Sequence, residues 1–201
     1  MENRTLTMHD IKTRSDTDEG PILEGYFAVF NEIYEVWPGA TESIAPGAFS
    51  EALNGDIRAL YNHNTDLVLG RTSAGTLELQ QDDRGLYGRI KVNPNDTDAM
   101  NAYQRVARGD ITGCSFGFEI EKEETEHRQD GTVHWTITKV NPLYEVSPCV
   151  FPAYTQTSVE SRGRELAAMR KRELDAWRIK MVTKVTGGKN GTESPCASKE
   201  D

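Results

Sequence analysis

Short runs in which apolar and polar residues alternate or apolar residues cluster dominate the first 160 positions. They include Gly25-Tyr-Phe-Ala-Val-Phe30, Leu67-Val-Leu69, Thr76-Leu-Glu-Leu79, the stretch from Gly85 to Val92, Gly113 to Ile120, Val133 to Val140 and Leu143 to Phe151. A period of two over four to eight residues predicts strands, and many short strands build either a barrel or a sandwich. Gly75, the Asp82-Asp83-Arg84-Gly85 cluster and Gln129-Asp130-Gly131 place turn residues between successive runs. The last of these predicts a hairpin, and the pattern as a whole favours antiparallel pairing.

Two short helices interrupt the strands. One is expected after Pro46, through Ala48-Phe49 to Leu53, ending at Asn54-Gly55. A second is capped by Asn95-Asp96-Thr97 and runs through Ala99, Met100, Tyr103 and Val106-Ala107 to Gly109, with apolar positions three and four apart. The fold expected is mainly β with flanking helices, an α+β arrangement with the helices outside the sheet.

From Val159 the pattern becomes helical, with Leu174, Trp177 and Met181 on one stripe. Beyond Val185, TGGKNGTESPCASKED has too little apolar surface to order itself. Three segments follow: a β domain over 1–158, a basic helix over 159–185 and a disordered tail over 186–201.

Length and composition narrow the class. A chain of 201 residues, 36% hydrophobic and 27% charged, suits one globular domain with a terminal extension. It has no apolar run long enough to span a bilayer, and its start, MENRTLTMHD, lacks the apolar core of a secretory signal, so the expectation is a cytoplasmic protein without membrane contact. Net charge is −9, yet residues 161–189 carry nine Lys/Arg against three Asp/Glu, so the body before them is strongly acidic. Such a body disfavours nucleic-acid binding and suits a protein partner with basic segments. Cys114, Cys149 and Cys196 fit neither a disulfide framework nor a zinc-ligand pattern, and no metal or cofactor is expected.

Serine hydrolysis needs a hydroxyl, an imidazole to take its proton, a group that orients the imidazole, and amide donors for the oxyanion. Of four histidines, His9 and His127 lie in polar or charged surroundings and His134 beside Trp135 reads as a packing residue. His63, in Ala59-Leu-Tyr-Asn-His-Asn64 ahead of an apolar strand, is presented at a strand end. Ser115, in Gly113-Cys-Ser-Phe-Gly-Phe118, has glycines on both sides that let other backbone approach. The alternation continues past Ser115, so this is not the strand-turn-helix elbow of the α/β-hydrolases. Adjacent Cys114 points to the other face of the strand. Glu145, the one charge between Pro142 and Phe151, needs a partner, which a histidine can supply. Asp66, three residues from His63, is the other acidic candidate.

Taken in order, Gly25-Tyr-Phe-Ala-Val-Phe30, Ile44-Ala-Pro-Gly-Ala-Phe49, Tyr61-Asn-His63, Leu69-Gly-Arg71, Gly113-Cys-Ser-Phe-Gly-Phe118 and Leu143-Tyr-Glu-Val-Ser147 through Phe151-Pro-Ala153 resemble the prohead protease family of HK97-like tailed phages. The resemblance covers about residues 20–155. It implies a closed β-barrel similar to the herpesvirus assembly proteases, with the family's histidine on His63 and its serine on Ser115. For the third member it favours Glu145, with His134 as the counterpart of the second histidine of the herpesvirus enzymes. Backbone donors around Ser115 and Arg71 are the oxyanion candidates.

The resemblance further implies a serine endopeptidase inside the immature procapsid in the host cytoplasm. Its substrates would be the scaffold or the scaffolding segment of the major capsid protein, and itself, and it implies a homodimer. Residues from Val159 onward would serve self-cleavage or docking. In that enzyme His63 deprotonates Ser115, and activity falls below about pH 6–7, where imidazoles protonate. The competing reading is a non-catalytic capsid-assembly or scaffold-binding protein on the same fold.

Overall fold

The computed structural model describes residues 2–6, 11–16, 20–150, 171–172 and 174–180. The chain forms two compact units, Met1–Val159 and Glu160–Asp201. In the second, residues 171–172 and 174–180 are helical, with Leu174, Trp177 and Ile179 exposed. The remainder of the expected basic helix and the expected tail over 186–201 lie outside the described residues.

The first unit is built on two sheets. The larger contains β1 (Glu2–Leu6), β4 (Tyr34–Trp37), β5 (Ala40–Ile44), β6 (Arg58–Tyr61), β7 (Asn64–Arg71), β10 (Gly113–His127) and β11 (Val133–Cys149). The smaller contains β2 (Lys12–Asp16), β3 (Gly20–Val29), β8 (Leu77–Gln81) and β9 (Gly85–Lys91), in the order β2-β3-β9-β8. Phe116, Phe118, Ile137, Val140 and Val146 of the first sheet share one core with Leu23, Phe27, Leu86 and Ile90 of the second. Close approach between strands explains Gly85, where a Cβ would sit 2.0 Å from the carbonyl oxygen of Ala28 on β3.

β10 and β11 form a long antiparallel hairpin closed around Gln129-Asp130-Gly131, as the turn residues predict. Gly131 adopts φ +83°, a left-handed conformation that glycine enters without steric cost. The two runs expected at 133–140 and 143–151 are one strand, continuous through the cis Asn141–Pro142 bond. One edge of β11 is divided between two partners. Its start pairs in parallel with β5, Val133 opposite Ala40 through Ile137 opposite Ile44, and its end pairs in parallel with β6, Glu145 opposite Arg58 and Val146 opposite Ala59. The expectation of antiparallel pairing therefore fails at these two seams.

The expected closed barrel is not what forms. A barrel requires the outermost strands to pair with each other at a fixed stagger. Here β1 pairs with β10 and β4 with β5 at the ends of one sheet, β2 and β8 end the other, and the sheet forks at β11 instead of continuing round. The apolar faces are covered by packing one sheet on the other, the alternative solution for strands of this pattern.

The helix expected from Pro46 to Leu53 is also corrected. Residues 46–51 are turns and only Ala52–Asn54 form a 3₁₀ turn, because Gly47 sits at φ +88°, outside the right-handed helical region. Gly55, which follows, is extended at φ −80°. The second helix forms as α1 (Thr97–Arg108). The Asp96 carboxylate accepts from the N–H groups of Asp98 and Ala99 at 2.9 and 3.1 Å, and Gly109 at φ +85° closes the other end. Ala99, Ala102 and Val106 are its buried face.

Candidate active site

β6 and β7 are joined by a two-residue turn, with Tyr61 opposite Asn64 as the closing pair. Its central residues, Asn62 and His63, have φ of 54° and 59°. Positive φ at both positions is the signature of a type I′ hairpin turn, whose second place is most often glycine. A histidine there carries a conformational cost of about 1–2 kcal/mol, so the surroundings must hold it. They do so through the end of β11 and the residue after it. The Asn62 N–H donates to the Pro148 carbonyl at 2.9 Å, the Val150 N–H donates to Asn62 Oδ1 at 3.3 Å, and the His63 N–H donates to Ser147 Oγ at 3.3 Å.

The turn thereby brings the His63 ring against Glu145. Nδ1–H donates to Glu145 Oε1 at 2.8 Å, and the second carboxylate oxygen accepts from Ser147 Oγ–H at 2.5 Å. Glu145 is 4% exposed, so its charge is sustained by these partners. The charge is felt nearby: burial, with the Glu145 carboxylate adding to it, pushes the Cys149 thiol up to about 12.

Ser115 lies directly opposite Ser147 in the β10–β11 ladder, and Gly117 lies opposite Glu145. Directly opposed residues project to one face with Cβ atoms roughly 5 Å apart. Ser115 therefore joins the face that carries Ser147, Glu145 and the docked His63 ring, while Cys114, Phe116 and Phe118 point into the core. Ser115 is fully buried. His63 Nε2, the ring nitrogen turned away from the carboxylate, is buried and makes no hydrogen bond. A neutral imidazole whose Nδ1–H is committed to a carboxylate presents at Nε2 a lone pair suited to receive a proton.

The other candidates lie elsewhere. His134 is held between two hydroxyls of β5, with Thr41 Oγ1 2.8 Å from Nδ1 and Ser43 Oγ 2.9 Å from Nε2. It is eleven positions before Glu145 along the strand, about 35 Å of β11. Asp66 is exposed on β7 and its backbone N–H donates to Asn64 Oδ1. Arg71 ends β7 with its guanidinium on the Asp56 carboxylate, Nε at 2.9 and 3.1 Å and Nη2 at 2.5 Å, and its backbone N–H donates to Thr76 Oγ1. Nε and Nη2 are thus engaged by Asp56, and the backbone N–H by Thr76. Among the described residues no group of His, Cys, Asp and Glu is placed to hold a metal ion, and no helix is long and apolar enough to cross a membrane.

Beside Glu145 opens a mostly apolar cavity of about 290 Å³, lined also by Arg58, Leu60, Thr65, Val68 and Tyr144. Sequence reasoning missed Ser147, β6 and the turn. An i, i+2 relation to Glu145 marks Ser147 as facing the same way on a strand, but its place opposite Ser115 depends on a register that only folding sets.

Comparison with known proteins decides the family. Residues 9–172 match the model of the caudovirus prohead serine proteases. The chain belongs to this family. It is 28% identical over 172 residues to the prohead protease of Enterobacteria phage HK97, covering 84% of this chain and 71% of that protein. No solved structure matches it. Membership makes the chain a protease of capsid maturation, acting on capsid or scaffold proteins within the procapsid.

Proposed function

We propose that this prohead protease is a serine endopeptidase in which Ser115 is the nucleophile, His63 the general base and Glu145 the residue that orients the imidazole. The observation that carries the reading is the 2.8 Å bond from His63 Nδ1 to a buried carboxylate, which leaves Nε2 without a partner beside the face that holds Ser115. In the reaction Ser115 Oγ attacks the scissile carbonyl and its proton passes to Nε2. The imidazolium then gives that proton to the leaving amine, and water, activated by the same nitrogen, releases the acyl group. Glu145 stays ionised throughout and stabilises the imidazolium. Apo hydrogen bonds of this kind tighten when substrate binds. Backbone N–H groups around Ser115 are the oxyanion donors in this proposal, with Arg71 the further candidate although its Nε and Nη2 are held by Asp56 and its backbone N–H by Thr76.

The substrates we infer are the scaffold or the scaffolding segment of the major capsid protein, and the protease itself, cut inside the immature procapsid in the host cytoplasm. The acidic body suits basic segments of such partners. Residues 1–158 would be the catalytic domain, the basic stretch 159–185 and the tail 186–201 the segments for docking or self-cleavage, and the working form a homodimer. The test is co-expression with the major capsid protein of the same genome, wild type beside Ser115→Ala, read by intact mass. Trimming that disappears in the variant supports the reading, whereas identical masses in both remove Ser115 as the nucleophile and move the non-catalytic assembly reading ahead.

A further inference from the structure

We infer that Ser147 is a positioning residue of this active site, its one hydroxyl fixing both the carboxylate that orients His63 and the turn that carries it. The inference rests on the serine-protease reading and adds a fourth residue to it.

The hydroxyl of Ser147 is used twice. As a donor it can serve only one acceptor, and Glu145 Oε2 takes its hydrogen at 2.5 Å. As an acceptor it receives the His63 N–H at 3.3 Å. The Glu145 side chain has three rotatable bonds, and a single contact at Oε1 would leave the plane of the carboxylate free to turn. Holding Oε2 from β11 itself fixes that plane, so that Oε1 meets Nδ1. The same oxygen ties down the backbone of a residue at φ 59°, a conformation the imidazole-bearing residue would not hold unaided. Because residues 145 and 147 are two apart on one strand, the spacing between carboxylate and hydroxyl is set by backbone geometry.

Full burial makes the arrangement consequential. Ser147 is completely inaccessible and Glu145 nearly so, so no water stands ready to replace a missing donor. The direction of the hydrogen also separates the two serines. The proton of Ser147 goes to a carboxylate and not to Nε2, so Ser147 is not the hydroxyl that the imidazole activates. Ser115, opposite it in the ladder, keeps that role in the proposal.

The test labels the purified full chain with a fluorophosphonate, follows the rate of acylation, and locates the label by peptide mass. Wild type, Ser147→Ala, Ser147→Thr and Ser115→Ala are compared. The expected result is label on Ser115 in the wild type, a rate about 10- to 100-fold lower in Ser147→Ala, and recovery to within a few-fold in Ser147→Thr, which restores the hydroxyl at a strand position that tolerates β-branching. A proton spectrum gives a readout independent of turnover. The slowly exchanging, low-field Nδ1–H resonance of His63 is expected in the wild type and Ser147→Thr and is lost in Ser147→Ala. Labelling of Ser147→Ala at the wild-type rate with that resonance intact overturns the inference and leaves the triad standing. Equal slowing in both Ser147 variants with equal loss of melting temperature also overturns it, since the site then answers only to packing. Absence of label from Ser115 in the wild type removes the serine-protease reading and the inference together.

Discussion

Nδ1 of His63 lies 2.8 Å from Oε1 of Glu145, although 82 residues of chain separate them. The contact exists because a hairpin turn and a strand end meet at the parallel seam between β6 and β11, where Glu145 pairs with Arg58. It fixes which ring nitrogen carries the proton, and so which one is left for chemistry.

Glu145→Gln keeps the size of the side chain and removes its charge. The imidazolium then lacks its stabilising partner, and the amide group can present a donor where Nδ1–H needs an acceptor. Cleavage of the co-expressed capsid protein is expected to slow by roughly 10⁴-fold, the loss that follows when the acid of such a triad is converted to its amide, with little change in melting temperature. A rate close to wild type would remove Glu145 from the mechanism.

His134→Ala should behave in the opposite sense. It leaves the hydroxyls of Thr41 and Ser43 without the ring they bracket in a nearly buried position. A loss of about 1–3 kcal/mol in denaturant unfolding is expected, with the cleavage rate of the folded variant unchanged. Loss of activity without loss of stability would return His134 to the site as its third member.

The thiol of Cys149 supplies a pH dependence. Burial, reinforced by the Glu145 charge, keeps it protonated in the fold to about 12. An exposed thiol in the unfolded chain ionises near ~8.5. Between those values the unfolded state holds fewer protons than the native state, so this group destabilises the fold as pH rises through the window and has no effect below it. Urea unfolding at pH 8 and pH 10.5 should show the wild type losing roughly 2 kcal/mol more than Cys149→Ala over that interval. Parallel losses in the two proteins would mean that the thiol ionises in the native state as well.

Local features of the fold were legible where the chemistry is local. Asp96 and Gly109 bracket α1, and Gln129-Asp130-Gly131 turns β10 into β11, because caps and turns are decided by residues a few positions apart. The burden on Glu145 was legible as well, since one charge in an apolar run must find a partner. Pairing of distant strands was not. Whether β10 and β11 curl into a barrel or join a forked sheet depends on which strands take the open edge of β11, and β5 and β6 share it in a way that no alternation pattern records. Arg58–Tyr61 is too short, and too mixed in character, to announce a strand. His63 in turn looked like the end of a strand and proved to be a turn residue at positive φ, a place where propensity would have put glycine. At this position local preference yields to the demands of the site.

The parallel seam between β6 and β11 has a bearing on timing. Parallel strands cannot be joined by a tight turn, and here the connection between Arg58 and Glu145 includes β7 to β10 and α1. Contacts of such long sequence separation form late, after the loop between them has closed. During synthesis the base of the proposed triad leaves the ribosome first, its serine next and its acid last. On the proposed triad, a chain that stops short of β11 lacks the acid and the strand on which the His63 turn docks, so cutting would wait until β11 is made and paired.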